Sequence, residues 1–385
     1  PLLPSPHTPP SSIPPPPLLS LSPRGRTCAR SLSLPPCLPF YRASVLPSAV
    51  CRSGCASSQM ESFPFHRTQI VCLDKLDYCS SLRNLDAVKD KPNFKFIKGN
   101  LCSADLLSYV LQTEKIDTII HAAAQTHVDN SFGNSFAFTE NNVLGTHVLA
   151  EAAKKAGIKR FVHVSTDEVY GSSYEEDPCR KEGDVLEPTN PYAATKAAAE
   201  SIVRSYWYSF KMPVIVTRGN NVFGPHQYPE KVIPKFVRRM INDLPVCIHG
   251  DGSNSRHYIY VEDVASAFDT ILHKGVDGEV YNIGCDDEFT NLEVAKLLVR
   301  AVKPEIAEED VSKHIIHVED RAFNDVRYFI DSSKLQSLGW QCEISFEEGL
   351  RRTIEWYRNV DRKWWPIGTD SALAPHPKPA GAIPL

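Results

Sequence analysis

Short apolar runs alternate with helical patterns over most of this chain, and that alternation limits its fold more than any other feature. The apolar and β-branched runs that predict strands lie at residues 70–73, 94–97, 118–120, 161–164 and 214–216. Helical patterns lie between them, at residues 104–111, 135–156 and 192–210. Strands that alternate with helices form parallel sheets covered by helices on both faces. We therefore expect an α/β chain with a doubly wound parallel sheet.

The pattern changes after Gly219, where the chain becomes less regular and richer in Gly, Pro and His. Helical patterns return at residues 261–272, 292–302 and 346–357. We expect this part of the chain to supply most of a smaller, substrate-binding lobe.

The first 60 residues differ in composition from the rest of the chain. They hold 14 of the 30 prolines, 12 serines and five arginines, and no Asp or Glu. The remaining residues contain 37 Lys and Arg and 46 Asp and Glu. Their net charge is therefore −9, compared with −4 for the whole chain. Because Pro-rich runs form neither helices nor sheet ladders, we expect a disordered head over residues 1–66. Its origin is either a transit peptide or, as we favour, upstream sequence from a wrong gene model.

The composition of the body excludes several other classes of function. Its acidic charge does not suggest nucleic acid as the main partner. No apolar run approaches the roughly 20 residues that span a bilayer, so no membrane contact is expected. The cysteines show no metal-ligand spacing, and no metal is expected. Seven of them lie singly in the body, where we interpret them as small buried hydrophobes in a reducing compartment: Cys72, Cys79, Cys102, Cys179, Cys247, Cys285 and Cys342.

Tyr192 and Lys196 form the first candidate for catalysis. Pro191 suits the first turn of a helix, and residues four apart lie on one helix face. A nearby ammonium favours the phenolate, which lets a tyrosine act as a base near neutral pH. The pattern alone is weak evidence, because surface helices often offer this spacing.

Thr166, Asp167 and Glu168 directly follow the predicted strand at residues 161–164. In an open parallel sheet, ligands bind outside the carboxyl ends of the strands, so chemistry is expected here. One hydroxyl and two carboxyl groups supply a donor, an acid and a base. A helix N-cap followed by acidic first-turn residues is the alternative interpretation. The Tyr192 and Lys196 pair on the next helix favours the catalytic interpretation.

Seven strings of the body resemble the nucleotide-sugar 4,6-dehydratases, a branch of the extended short-chain dehydrogenase/reductases. They are HAAAQTHVD (121–129), VSTDEVYG (164–171), NPYAATK (190–196), RGNNVFGPHQYPEK (218–231), HGDG (249–252), YNIG (281–284) and NDVRY (324–328). The body resembles the dTDP-glucose enzymes and, more closely, the UDP-glucose 4,6-dehydratase domain of plant-type rhamnose synthases. The Thr-Asp-Glu string separates dehydratases from the epimerases and decarboxylases of this superfamily. The resemblance covers about residues 69–357 and implies a Rossmann-like fold.

The resemblance implies an NAD-dependent hydro-lyase that converts UDP- or dTDP-glucose into the 4-keto-6-deoxy sugar nucleotide. Tyr192, assisted by Lys196, removes the proton of the C4 hydroxyl, and Thr166 hydrogen-bonds that hydroxyl. Glu168 abstracts the C5 proton, and Asp167 protonates the departing C6 hydroxyl. Tightly bound NAD+ takes the C4 hydride and returns it to C6, so each cycle regenerates it.

The resemblance also implies two sets of binding residues. Those for NAD+ are Asp74, Lys75, Leu76, Asn100, Leu101, Ala122, Ala124, Thr126 and Asn141, together with Tyr192 and Lys196. Those for the nucleotide sugar are Asn220, Asn221, Glu230, Lys231, Arg256, Asn282, Arg327 and Tyr328. Asp74 is expected to hold the adenosine ribose hydroxyls, and Asn100 stands where the family has Asp. Arg256 is expected to bind the diphosphate, because a guanidinium binds phosphate bidentately.

These expectations divide the chain into the head (1–66), the dehydratase body (67–365) and a loose tail (366–385). The cofactor part of the body covers about residues 67–218, and the substrate lobe comes mostly from residues 219–345. Members of this family commonly dimerise through a four-helix bundle, so we expect a homodimer. We expect a cytoplasmic protein, with plastid targeting by the head as the alternative.

One family feature is missing from the sequence. The family begins with a strand and a GxxGxxG turn, which opens a helix that receives the cofactor pyrophosphate. Here the only glycine near that place is Gly54. The missing strand belongs at the centre of the sheet, between the strands that end at Asp74 and His121. Residues 43–50 are the available replacement, but Pro47 argues against a central strand.

Two other interpretations therefore stand beside an active dehydratase. One is a catalytically impaired isoform or pseudoenzyme without the Gly-rich NAD loop. The other is a different extended short-chain enzyme, a nucleotide-sugar epimerase. We favour a gene that encodes a dehydratase and whose first exon is wrong or alternative in this sequence. For the chain of residues 1–385 itself, we expect weak or absent NAD+ binding.

Overall fold

A seven-stranded parallel sheet forms the centre of the computed structural model, which describes residues 44–48, 69–361 and 363–375. The strands of the described residues are β1 (Ser44–Ser48), β2 (Gln69–Asp74), β3 (Phe94–Lys98), β4 (Thr118–His121), β5 (Arg160–Thr166), β6 (Val214–Gly219), β7 (Asn221–Phe223), β8 (Val246–His249), β9 (Ser255–Tyr260), β10 (Val280–Ile283), β11 (Glu288–Thr290) and β12 (Ile315–Val318). The central sheet has the order β10-β6-β5-β4-β1-β2-β3. This order confirms the doubly wound, Rossmann-like sheet, and every predicted strand is present.

The helices that the alternation predicts are also present. The α-helices of the described residues are α1 (Ala104–Thr113), α2 (Val128–Gly133), α3 (Ser135–Phe138), α4 (Gly145–Ala156), α5 (Pro191–Phe210), α6 (Val232–Ile241), α7 (Val261–Lys274), α8 (Asn291–Val302), α9 (Ser333–Gln336), α10 (Phe346–Asn359) and α11 (Asp370–Leu373). Short 3₁₀ helices cover Leu82–Leu85, Asp167–Tyr170 and Glu308–His314, and a π-helix covers Thr139–Leu144. None of these helices combines the length and the apolar composition that a bilayer span requires.

The central position of the sheet is filled, which corrects the expectation that the first strand is missing. β1 lies between β2 and β4 and is parallel to both. It pairs with β2 at Ser44, Val45 and Ser48, on either side of Pro47, and Pro47 lies opposite Ile120 of β4. Proline has no N–H to donate but keeps its carbonyl. A central strand can therefore contain a proline at a position where the neighbouring strand pairs with the residues on either side of it. The place of the family's Gly-rich turn and helix, which we expect to be missing from this chain, is residues 49–68, outside the described residues.

Two apolar layers cover the central sheet because successive side chains of a strand point to opposite faces. Phe161 of β5 packs with Leu107 of α1, Leu149 of α4 and Val203 of α5. Its neighbour Val162 packs in the other layer, against α7. The parallel strands are buried on both faces, as continuous β-branched runs predict.

A second core holds the substrate lobe together. It lies between the three-stranded sheet β11-β9-β7, the pair β12-β8, and helices α6, α8 and α10. Aromatic rings fill its centre, with Phe223, Tyr258 and Phe346 in mutual contact. The chain passes from β6 of the central sheet to β7 of the three-stranded sheet, returns to the central sheet as β10, and leaves it again to form β11.

The described part of the expected loose tail is packed. Ala372 and Leu373 are buried, and the hydroxyl of Tyr228 donates to the carbonyl of Gly368 over 3.0 Å. Just before it, Trp364 accepts a hydrogen bond from Ser81 at its carbonyl and donates its indole N–H to the side chain of Asn84 over 2.7 Å. Residues 376–385 lie outside the described residues, as do residues 1–43 and 49–66 of the expected head.

Two cysteines differ from the expectation of isolated buried thiols. Cys285 and Cys342 form a disulfide with Cα atoms 6.0 Å apart. It joins the end of β10 to the segment before α10, beside Asp263, whose carboxylate accepts the backbone N–H groups of Glu343 and Ile344. The two sulfur atoms meet through the tertiary fold, because 57 residues separate them in the chain.

Candidate active site

The carboxyl ends of β4, β5 and β6 meet at one edge of the sheet, and the predicted catalytic side chains lie there. Thr166 is the last residue of β5, and Asp167 and Glu168 begin the 3₁₀ helix that follows. Tyr192 and Lys196 lie near the start of α5, where the Asn190 side chain caps the helix by accepting the N–H of Ala193 over 2.9 Å. The fold thus brings together all five predicted catalytic residues.

The Thr-Asp-Glu string is both a helix cap and a cluster of reactive groups. The hydroxyl of Thr166 accepts the backbone N–H of Glu168 over 3.4 Å and lies 3.2 Å from Oδ1 of Asp167. Asp167 is only 2 % exposed, and the side-chain amide of Asn220 donates to its Oδ2 over 2.8 Å. The N-cap interpretation of this string is therefore confirmed, and the cap fixes the direction of the carboxyl groups. The catalytic interpretation stays a prediction.

Tyr192 and Lys196 are both buried in α5. The ammonium of Lys196 donates to the carbonyl of Val164 in β5 over 2.6 Å, which ties the helix to the strand that carries Thr166. Burial and the Lys196 charge lower the pKa of His121 to about 3, so this imidazole adds no second charge beside the lysine at neutral pH.

A polar network that sequence reasoning missed surrounds Glu168. The amide of Asn190 lies 3.5 Å from Oε2 of Glu168 and 3.5 Å from Oδ2 of Asp325. Tyr328 donates its hydroxyl to the same Asp325 oxygen over 2.5 Å. Burial and the charge of Glu168 raise the pKa of Tyr328 well above its usual value, so its phenol stays a donor. Asn190 and Asp325 both lie inside strings quoted above. Nothing in those strings indicates that Asn190 caps a helix or that both residues belong to a polar network.

A pocket of about 510 Å³ lies beside the carboxyl ends of β2 and β4. The predicted cofactor residues that line it are Asp74, Lys75, Asn100, Leu101, Ala124, Thr126 and Asn141. Four predicted cofactor residues are not among the lining residues of the described chain: Leu76, Ala122, Tyr192 and Lys196. Leu76 turns back with a φ of 57° and donates its N–H to Asp74 over 2.6 Å, and Ala123 lines the pocket instead of Ala122.

Asp74 is the most perturbed carboxyl group in this pocket. Burial raises its pKa from 3.8 to about 6, although the N–H of Leu76 counteracts part of that effect. A carboxylate that ends the second strand can accept two ribose hydroxyls. The residues present therefore fit the adenosine side of NAD+. The turn that binds the pyrophosphate in this family would fall in residues 49–68, which lie outside the described residues.

Asn142 fixes the wall of this pocket and was not predicted. It lies in the π-helix, which interrupts the helix predicted at residues 135–156. Its side chain accepts the N–H of Gln125 over 2.7 Å and donates to the carbonyl of Gln125 and the hydroxyl of Thr195. A π-helical turn often marks a functional site, and here it lets one amide join the loop after β4 to α5.

An open cleft of about 1170 Å³ adjoins Thr166 and Glu168. The predicted substrate residues that line it are Asn220, Asn221, Glu230, Lys231, Arg256 and Tyr328. The structure adds Arg321, whose Nε lies 3.4 Å from Oδ1 of Asp129 at the cleft wall. Its position, seven residues before Tyr328, gives no separate sequence signal.

Two predicted substrate residues do not line the cleft. Asn282 is fully buried in β10, where its amide donates to the carbonyls of Arg180 and Asp331. Arg327 forms a two-pronged ion pair with Glu288, with both distances 2.6 Å. Alternate residues of an extended segment face opposite ways, so Tyr328 faces the cleft while Arg327 faces the lobe.

Comparison with known proteins decides the family. The family model described as GDP-mannose 4,6 dehydratase matches residues 64–353. The chain belongs to this family. The match extends from just before β2 into α10, so it includes both openings described above.

Named relatives of this family member are nucleotide-sugar enzymes. This chain is 54% identical over 328 residues to a trifunctional UDP-glucose 4,6-dehydratase/UDP-4-keto-6-deoxy-D-glucose 3,5-epimerase/UDP-4-keto-L-rhamnose-reductase of Arabidopsis thaliana. The alignment covers 85% of this chain and 48% of the relative. The chain thus spans about half the length of that relative. It is 47% identical over 320 residues to the dTDP-D-glucose 4,6-dehydratase of Mus musculus, covering 83% and 88%.

A solved structure agrees with the fold of this family member. DesIV, a dTDP-glucose 4,6-dehydratase from Streptomyces venezuelae solved with NAD and TYD bound, superposes with a TM-score of 0.77 at 35% identity. The alignment covers 84% of this chain and 99% of DesIV. The similarity therefore extends over nearly the whole of that enzyme.

Proposed function

We propose that this chain is a nucleotide-sugar 4,6-dehydratase that converts UDP- or dTDP-glucose into the 4-keto-6-deoxy sugar nucleotide and water. The observation that carries the proposal is the difference between two neighbouring carboxyl groups. Asp167 is buried against the amide of Asn220, whereas Glu168 lines the open cleft. Paired carboxyl groups in unlike surroundings are typical of sites that need one acid and one base.

Each side chain has a separate proton task in this reaction. Tyr192 takes the proton of the C4 hydroxyl, with Lys196 favouring its phenolate and Thr166 orienting that hydroxyl. Glu168 removes the C5 proton and later returns it to C5. Asp167 gives a proton to the C6 hydroxyl, which leaves as water. NAD+, when bound at Asp74, would take the C4 hydride and deliver it to C6.

The cleft offers the charges that a nucleoside diphosphate needs. Arg256 and Arg321 both line it, and a guanidinium pairs with phosphate through two parallel hydrogen bonds. Lys231 lines it as well, with its ammonium 2.5 Å from the carbonyl of Thr126. The names of the relatives support a glucose nucleotide as the substrate, with UDP and dTDP as the two candidates.

The decisive experiment is to express residues 1–385 and incubate the chain with NAD+ and UDP- or dTDP-glucose. Because NAD+ added at high concentration offsets weak cofactor binding by mass action, we expect a product lighter by one water, detected by mass spectrometry, and its loss in Tyr192→Phe. General acid-base catalysis contributes roughly 10²- to 10⁴-fold, so the variant should lose at least about a hundredfold in kcat. A chain with a restored Gly-rich N-terminus serves as the matched control. If that control also makes no keto sugar, the dehydratase assignment is wrong.

A catalytically impaired isoform is the second candidate, and one observation favours it. Residues 49–68 between β1 and β2 contain a single glycine, Gly54, where the family uses a GxxGxxG turn. In this case only the restored chain turns over, and the literal chain retains little NAD+. A nucleotide-sugar epimerase is a third candidate, which would interconvert sugar isomers without loss of water.

We also propose a homodimer that forms through α4 and α5. These helices and the preceding π-helix expose Leu144, Tyr208 and Phe210, which a second copy would cover. Sedimentation of the chain tests this assembly, and a monomer at micromolar concentration contradicts it. A cytoplasmic location is part of the same proposal, and a fluorescent fusion that enters plastids would contradict it.

A further inference from the structure

Glu230 borders both the substrate cleft and the cofactor pocket of the described chain. Its Oε2 accepts a hydrogen bond from the hydroxyl of Tyr78 over 2.7 Å. Tyr78 also lines the cofactor pocket, and it lies four residues after Asp74. One hydrogen bond thus links a residue of the substrate cleft to the segment that begins at the carboxylate expected to hold NAD+.

The orientation of Tyr78 is fixed from three sides. The amide of Asn130 donates to its hydroxyl over 3.2 Å. Its ring meets the edge of Tyr228 with ring centres 5.7 Å apart. The N–H of Glu230 donates to the carbonyl of Tyr228 over 2.8 Å, so the ring contact and the hydroxyl contact reach the same turn of chain.

The segment from Asp74 to Tyr78 is internally linked. Leu76 donates to Asp74, and the ammonium of Lys75 lies 2.8 Å from Oδ2 of Asp77. Gln125 donates to the same Asp77 oxygen over 2.6 Å, which ties the segment to the loop after β4. These bonds provide a route by which a displacement of Tyr78 would reach Asp74.

Tyr78 can serve only as a donor in its bond to Glu230. Burial and the Glu230 charge raise the pKa of Tyr78 far above its usual value, so the phenol keeps its proton. A carboxylate can accept hydrogen bonds at both oxygens. Glu230 can therefore accept a hydroxyl of a bound sugar while Tyr78 holds Oε2.

We propose that Tyr78 is a positioning residue that couples occupancy of the sugar site at Glu230 to closure of residues 74–78 over the cofactor. The ligands named here rest on the proposed function. In this arrangement a bound nucleotide sugar immobilises Glu230, and Glu230 in turn holds the segment closed. The cofactor is then retained most tightly while the reaction is in progress, when the hydride has left the sugar and must return to it.

Hydrogen exchange of the full chain tests this coupling without requiring catalysis. The readout is the exchange rate of the backbone amides of residues 75–80, with and without UDP-glucose or dTDP-glucose. The variant is Tyr78→Phe, which keeps the ring against Tyr228 and removes the hydroxyl. Tyr109→Phe is the matched control, because its side chain is 65% exposed on α1. Calorimetry measures ligand binding, and thermal unfolding checks that both variants fold.

We expect the nucleotide sugar to slow exchange in the wild-type chain and in Tyr109→Phe by about tenfold, the factor that corresponds to roughly 1.4 kcal/mol. In Tyr78→Phe the ligand should still bind, and the slowing should fall below about twofold, with a matching rise in the NAD+ release rate. Glu230→Gln should lose part of the effect, because its amide oxygen still accepts the Tyr78 hydroxyl without a charge.

Equal protection in Tyr78→Phe and the wild-type chain would overturn the coupling. Binding of the sugar nucleotide to the wild-type chain without protection of residues 75–80 overturns the coupling alone and leaves the proposed function in place. Failure of both sugar nucleotides to bind the wild-type chain overturns the proposed function, and the coupling fails with it.

Discussion

The amide of Asn220 donates a hydrogen bond to Oδ2 of Asp167 over 2.8 Å, and this contact joins the ends of β5 and β6. The N–H of Asn220 is also bonded, to the carbonyl of Ile283 in β10 over 3.0 Å. Asn220 was predicted as a substrate residue, and it lines the cleft. Its contacts add a second task, because they hold the buried carboxyl group in one direction.

Replacement of Asn220 by Leu should therefore impair both chemistry and folding. We expect kcat to fall at least about tenfold, because Asp167 is no longer oriented toward the C6 hydroxyl. The free energy of unfolding should fall by about 1–3 kcal/mol, the cost of a buried polar group without its partner. Steady-state kinetics and urea unfolding measure the two effects. The control is Asn221→Leu, which lines the same cleft, and an equal loss of kcat there would contradict the orienting role.

Two arginines that were predicted to bind substrate should behave differently. Arg256→Ala should raise the KM for the sugar nucleotide by about tenfold or more and change kcat less, because a charged hydrogen bond to the diphosphate contributes roughly 1.5–3 kcal/mol. Arg327→Ala should leave KM within about twofold and lower stability by about 1–2 kcal/mol, since it breaks the pair with Glu288 and the contact of the guanidinium with the Phe329 ring. A KM increase of similar size in both variants would place Arg327 at the substrate.

The raised pKa of Asp74 predicts opposite effects of pH on stability and on cofactor binding. Its value of about 6 in the folded chain exceeds the usual 3.8, so its protonation favours the folded state. This stabilisation is fully present below pH 3.8 and is lost as the pH rises through 6. The proposed contact of Asp74 with NAD+ needs the ionised carboxylate, so the dissociation constant of NAD+ should rise by up to about tenfold per pH unit below 6.

Calorimetric titration with NAD+ between pH 5 and 8, a range chosen around the raised pKa, measures the binding effect. The control is Asp74→Asn, which should bind NAD+ weakly and without this pH dependence. A steep pH dependence in that variant would assign the titration to another group.

Reduction of the Cys285–Cys342 disulfide should destabilise the chain. The bond closes a loop of 57 residues, and loop-closure entropy for that length corresponds to about 4 kcal/mol. Urea unfolding with and without a reductant measures the difference, and Cys342→Ser should reproduce the reduced value. Identical unfolding midpoints in oxidised and reduced samples would show that the bond contributes no stability.

Strands β2 to β6 and the long helices could be predicted because their patterns are local, whereas β7 to β12 were not predicted. Apolar or β-branched runs of three or four residues identified β2 to β6, and helical patterns identified the long helices. The interruption of the helix at residues 139–144 could not be predicted, because it depends on the contacts of Asn142 with Gln125 and Thr195. Tertiary contacts decided that turn.

The candidate site also contains some features that the local sequence predicts and others that depend on tertiary contacts. Thr166, Asp167, Glu168, Tyr192 and Lys196 stood in recognisable strings, and the fold brings them to one edge. The pairing of Cys285 with Cys342 depends on chain segments far apart in sequence, as does the ion pair of Arg321 with Asp129. Pro47 led to the opposite error. Proline usually argues against a central strand, yet the central sheet contains Pro47 in β1.

The packed tail affects how a nucleotide enters and leaves. Just before the tail, Trp364 is hydrogen-bonded to Ser81 and Asn84, which follow β2 of the central sheet. Within the tail, Gly368 is hydrogen-bonded to Tyr228 of the lobe. A swinging motion of the lobe would have to break these bonds together. We therefore expect exchange of nucleotides to proceed through small movements at the mouth of the cleft.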